Sequence, residues 1–132
     1  MPGMTDTAYT PLTPLEAAVR NAMAGIGDER DVLAALRVAD IWVPSASVVQ
    51  PDGAGLTPLL LQSQRFPSRM VLAFDDASRL TPEIRARAPN SLQVAGDWLI
   101  ASIARDLGIT LFVGPGIGCE LSVELLAGAR PE

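Results

Sequence analysis

Apolar residues recur at helical spacing near the start of this chain. Leu15, Val19, Ala22, Met23 and Ile26 fall on one helix face. Thr13-Pro14-Leu15-Glu16 supplies the start signal. Thr13 is the expected N-cap, Pro14 the first helical residue, and Glu16 the partner that completes a capping box. Gly25 or Gly27 is expected to end the helix by turning left-handed. Asp28 opens a second helix, with Glu29 and Asp31 favourable in its first turn. Val32, Leu33 and Leu36 are its inward residues, and the two helices predict an αα-hairpin.

The pattern then shifts to strands. Ile41-Trp42-Val43 predicts a short strand stopped by Pro44, followed by a loop with Pro51-Asp52-Gly53 as turn chemistry. Pro58-Leu59-Leu60-Leu61-Gln62 predicts a second strand, and MVLAF at 70–74 a third, buried on both faces. Residues 40–74 are therefore expected to form an antiparallel meander. An aspartate at 75 or 76 can cap one helical turn, and Thr81-Pro82-Glu83 starts a short helix that Pro89 stops. Residues 91–94 predict a short strand. Asp97 is expected to cap a helix with Leu99, Ile100, Ile103, Ala104 and Leu107 on its apolar face and Gly108 after its end. ITLFV at 109–113 is the clearest strand; it ends in GPGIG, and Ser122 can cap a last helix over 123–127. The helix entering ITLFV suggests a crossover with parallel pairing.

These elements predict one α/β (α+β) domain over 13–132. It is expected to be a single-layer mixed sheet of four to five strands, with the N-terminal helix pair and further helices packed on it. Residues 1–12 are expected to be a flexible arm. The 132 residues suit a single core, and a hydrophobic share of 48% opposes disorder.

Composition narrows the chemistry. The net charge is −5 and every basic residue is arginine. Nucleic acid and anionic membrane are therefore not expected partners, because both call for a basic excess. With no histidine, Ser-His-Asp and Cys-His activation are excluded, as are the commonest zinc and iron sites. With no lysine there is no Schiff base and no phosphate-loop lysine. No catalytic residue, cofactor or metal site is expected. Cys119 is the lone cysteine, so no intrachain disulfide forms and a cytoplasmic setting is expected. Neither a membrane-spanning run nor a secretory leader is expected.

Four features remain as candidates for a partner or ligand surface. Gly114, Gly116 and Gly118 follow a strand, as in phosphate-binding loops, but Cys119 stands where the dinucleotide fingerprint needs glycine. Asp75 and Asp76 are adjacent carboxylates at a strand end, so their side chains point to opposite faces. Glu120 is a conceivable third ligand to them. Arg79 lies in a locally basic stretch with Arg65, Arg69, Arg85 and Arg87, suited to carboxylate or phosphate. Trp42, on a short strand, is a candidate partner contact, as is Trp98 at a helix start.

Several strings now resemble the N-terminal domain of the SseB family, named after an enhanced-serine-sensitivity phenotype in enteric bacteria. They are LEAAVRNAM, DVLAALRVADIWVP, RMVLAFDDASRL and SLQVAGDWLIASIARDLGITLFVGPG running into ELSVELL. Two positions depart from the family pattern: Phe74-Asp75-Asp76 stands for Phe-Thr-Ser, and Gly114-Pro115-Gly116 for Asn-Pro-Gly. The resemblance implies a bacterial α/β domain, often encoded near secretion or toxin-related genes, with no agreed catalytic residues. The expected function is a non-enzymatic protein-binding or accessory module, secretion-associated or chaperone-like, with another protein as partner. Homo-oligomerisation through a sheet edge or the helix pair is a further expectation. The alternatives are a small-molecule or nucleotide binder using the 114–118 loop, and a toxin-neutralising protein.

Overall fold

The computed structural model describes residues 13–114 and 117–129. The expected arm at 1–12 lies outside these. Helix α1 (Pro14–Met23) begins as its residues dictate: the Glu16 N–H donates to Thr13 Oγ1 at 3.1 Å, with Pro14 in the first turn. The expected capping box stays half formed, because the Glu16 carboxylate turns forward and accepts from Arg20 Nε at 2.9 Å. The helix ends at Met23, and Gly25 turns left-handed at φ +80°. Met23 and Ile26 therefore stay out of the core, 56% and 77% exposed, contrary to the helical spacing. Helix α2 (Glu29–Arg37) carries a full capping box between Asp28 and Asp31 and buries Val32 and Leu36.

Strands β1 (Asp40–Ser45), β2 (Leu60–Gln62) and β3 (Arg69–Phe74) follow. A 3-10 turn (Ala77–Arg79), α3 (Pro82–Arg87), β4 (Asn90–Ala95) and α4 (Gly96–Ser102) come next, then β5 (Gly108–Gly114), β6 (Ile117–Leu121) and α5 (Val123–Ala127). Among the described residues the mixed sheet has six strands, in the order β4-β1-β3-β5-β6 with β2 beside β3. Among these described strands β3 and β5 pair in parallel, and the ladders β1–β3, β1–β4, β2–β3 and β5–β6 are antiparallel.

Several expectations are corrected. Pro44 does not stop β1, which pairs on through Pro44↔Ser91 to Ser45↔Asn90. By that point β1 has left β3, which it meets only at Trp42↔Phe74, and a strand tolerates proline where a neighbour asks nothing of its N–H. Residues 40–74 are not a meander. Because β5 pairs one edge of β3 throughout, β1 and β2 share the other in succession, β2 taking over at Leu60↔Val71. The crossover returns the chain beside β3, not beside β4. Asp97 is not the cap of α4; Ala95 holds that position without a side-chain bond, and Asp97 pairs with Arg37 at 2.8 Å. The helix stops at Ser102, short of Leu107. Gly108 opens β5 instead of closing a helix. A Cβ there would lie 2.5 Å from the Leu121 carbonyl and 2.7 Å from the Met70 side chain.

The helices cover one face of the sheet. Val19, Leu36, Ile41, Leu99, Leu111 and Leu126 are fully buried there. Each such side chain contributes about 1.5–3 kcal/mol on leaving water. The opposite face carries a smaller cluster of Leu72, Phe74 and Leu80, onto which Ile84 of α3 packs. Among the described residues no helix is long and apolar enough to cross a membrane.

Candidate functional site

The half-covered face carries the candidate site, because strand alternation puts apolar and polar side chains there side by side. Thr110 and Phe112 of β5 share it, since neighbours in a strand point opposite ways and Leu111 faces the helices. Phe112 stacks near Phe74 of the adjacent parallel strand, ring centroids 5.9 Å apart. Opposite Phe112 in β6 stands Gly118, where a Cβ would fall 2.7 Å from the Phe112 ring. Glycine is what lets that ring lie flat across the strand pair.

Two adjoining clefts result. The first, of about 490 Å³, is walled mainly by Leu61, Leu72, Phe74, Ile84 and Phe112, with Arg79 and Gly114 also on its wall. The second, of about 390 Å³, shares Leu61 and Phe112 and adds Gln62, Arg65, Thr110 and Glu120. Thr110 is only 7% exposed, and its Oγ1 has no hydrogen-bond partner among the described residues. Glu120, paired in register with Thr110, accepts from Ser63 Oγ at 2.8 Å and from the Gln64 N–H at 3.4 Å. Ser63 also accepts from the Arg65 and Phe66 amides, so this bend holds the carboxylate in place.

The candidates read from sequence are partly gathered here. Trp42 packs on the Phe74 cluster. Arg79 and Gly114 line the apolar cleft, and Asp75 holds Arg79 at 3.1 Å. That hydrogen bond raises the Arg79 pKa against partial burial, keeping the guanidinium charged. Asp76 points elsewhere, accepting from the Ser78 N–H as cap of the 3-10 turn. Asp75 and Asp76 thus serve different partners. Gly116 lies outside the described residues. Gly114 ends β5 and pairs with Ile117, so the chain leaves β5 by a hairpin into β6, not toward a helix. The arginines do not converge either: Arg65 bonds Glu29 at 3.1 Å, and Arg85 donates to the Leu80 and Ala77 carbonyls. Trp98 lies beneath Gly53 of the 46–57 loop, so it serves internal packing. No group of three His, Cys, Asp or Glu suited to a metal occurs among the described residues.

Thr110, Leu61 and Ile84 do not stand out in the sequence as site residues. Alternation within ITLFV is the available signal, since it sets Thr110 on the same face as Phe112.

Cys119 faces the helix side opposite Leu111. Burial, then the charges of Glu29 and Glu120, push its thiol up from 9.0 to about 11, against a lowering by Arg65. Near pH 8 the thiolate is then about 100-fold scarcer than in the unfolded chain. Iodoacetamide is expected to alkylate Cys119 slower by that factor in buffer than in urea, measured by mass spectrometry. Because the folded pKa lies above the unfolded one, the native state is fully favoured below pH 9 and loses stability as pH rises from 9 towards 11. Cys119→Ala should flatten that alkaline slope in urea titrations.

The fold and its clefts define the class: an α+β domain with one sheet face buried under helices and the other left as a two-part groove. The model of the SseB protein N-terminal domain matches residues 15–128, and the chain belongs to that family. No curated protein and no solved structure is found to match it.

Proposed function

We propose that this domain is a non-enzymatic binding module that docks a segment of another protein on the half-covered sheet face. One observation carries the reading: the apolar cleft between β2, β3, β5 and α3 is roomy and lies beside a polar one, with the shared wall made by Leu61 and Phe112. Apolar clefts with a few placed polar groups are where protein surfaces take up side chains. The lack of histidine and lysine supports binding over catalysis. The bacterial setting that the resemblance implies, taken with a lone free cysteine, favours a bacterial cytoplasm.

The test is photo-crosslinking in the native host. A benzophenone side chain placed at Ile84 or Gln62 should yield protein adducts on irradiation. The same group at Arg30, exposed on α2, should yield at least several-fold less. Adducts of equal strength from both places, or none from the cleft, would refute the reading.

A further inference from the structure

Resting on that reading, we infer that the docked segment is extended and carries a basic residue two positions from a large apolar one. The cation sits at Glu120 and the Thr110 hydroxyl; the apolar side chain enters the cleft formed by Leu61, Phe74, Ile84 and Phe112.

The polar cleft specifies the cation. Thr110 and Glu120 stand opposite each other in the β5–β6 register, and both offer acceptors. Glu120 takes one short hydrogen bond, from a neutral hydroxyl, and makes no ion pair among the described residues. A carboxylate has capacity for about four hydrogen bonds, so acceptor sites remain. Thr110 Oγ1 is enclosed and has no partner among the described residues, and a buried hydroxyl without a partner is costly. Such a pair calls for an occupant that brings N–H donors and positive charge. Arg65, on the same wall, does not fill that role: its guanidinium is committed to Glu29 at 3.1 Å and lies 4.8 Å over the Phe66 ring. The chain's net charge of −5 favours a basic partner at longer range.

The apolar cleft specifies the neighbour and the spacing. Thr110 and Phe112 are two residues apart on one strand face, a distance of about 7 Å. In an extended segment, side chains at positions one and three lie the same distance apart and on the same side. A basic residue over Thr110 therefore brings the residue two positions on to Phe112 and the cleft beyond it.

The experiment is an NMR titration of the whole chain with the capped peptide Gly-Ser-Arg-Ser-Leu-Ser-Gly and two variants. One variant has Glu for Arg and the other Ser for Leu. The parent should shift the amides of β5 and β6 saturably, and each variant should bind at least tenfold more weakly. Glu120→Gln should weaken the parent at least tenfold. Thr110→Val should also weaken it several-fold while the melting temperature holds or rises, since the change removes a buried hydroxyl that has no partner. That rise separates loss of recognition from loss of fold. If no peptide binds, if the Glu variant binds as well as the parent, or if Glu120→Gln changes nothing, the inference is overturned. Cross-links from Ile84 in that case leave the docking face standing and remove only the motif; their absence removes both.

Discussion

Gly96→Ala is expected to prevent this domain from folding. A Cβ at that position would lie 1.9 Å from the Leu36 carbonyl oxygen and 2.7 Å from its carbon. Both atoms are backbone at the end of α2, so no rotamer change relieves the overlap. The same junction is tied by a hydrogen bond from the Gly96 N–H to the Ala39 carbonyl at 2.8 Å, which draws the start of α4 against the end of α2. Making room means separating elements that are locked by buried Leu36 and Leu99. The cost should exceed about 4 kcal/mol, in the range reserved for severe core disruption. A small domain near the lower end of the ordinary range, about 5 kcal/mol, has little left after that. Gly25→Ala is the control. Gly25 has φ +80° but open space around it, with nothing within 4 Å of where a Cβ would stand, so only the left-handed backbone penalty of about 1–2 kcal/mol applies. Far-UV circular dichroism and urea titration of the two variants check the contrast. A cooperative Gly96→Ala protein as stable as Gly25→Ala would mean that α2 and α4 do not meet as described.

Leu111→Ala should cost about 2–5 kcal/mol, the range for truncating a fully buried leucine. Leu111 has no exposure and sits mid-strand in β5, between Ala73 of β3 and Cys119 of β6. Helices cover its face, so the vacated space cannot fill with water, and the surrounding elements are hydrogen-bonded in place. For a domain of this size the loss corresponds to a melting temperature lower by roughly 10–20 °C. Differential scanning calorimetry reads it directly. A drop of less than about 3 °C would show that the interior repacks around the gap, or that Leu111 does not face it. The next residue along, Phe112, is the comparison: its ring turns to the clefts, so its removal should be felt more in docking than in stability.

Much of the fold was legible in short-range signals. Thr13 with Pro14, Asp28 with Asp31, Thr81 with Pro82, and Ser122 each mark a helix start, and each side chain bonds the amide its position implies. These are local contacts, set within one turn, and local chemistry is enough to read them. What escaped depended on residues far apart in the chain. β6 read as a loop because glycine and proline crowd its entrance and Gly118 interrupts it. Gly118 is a strand residue all the same, because the Phe112 ring needs the space beside it. Gly108 looked like a helix terminus; its smallness is required by Leu121 and Met70 on two other strands. Asp97 looked like a cap and is the partner of Arg37, sixty residues upstream in the chain.

The candidate site divides in the same way. Trp42, Arg79 and Gly114 stood out by type or by neighbouring turns, and they do border the apolar cleft or its cluster. Thr110 did not stand out, because threonine is an ordinary strand former and its orphaned hydroxyl exists only once β2 and β6 close around it. In the sequence Glu120 pairs by type with Asp75 and Asp76, whereas its hydrogen bonds go to the bend at 63–64.

The parallel pairing of β3 with β5 has a consequence for synthesis on the ribosome. Met70 waits for Gly108, and Phe74 for Phe112, while β4 and two helices are made in between. Until residues 108–121 emerge, the edge of β3 that β5 will occupy has no strand beside it and can attract other nascent chains. Stalling translation just before residue 108 should therefore leave a chain that chaperones hold, and release past 121 a chain that lets go of them.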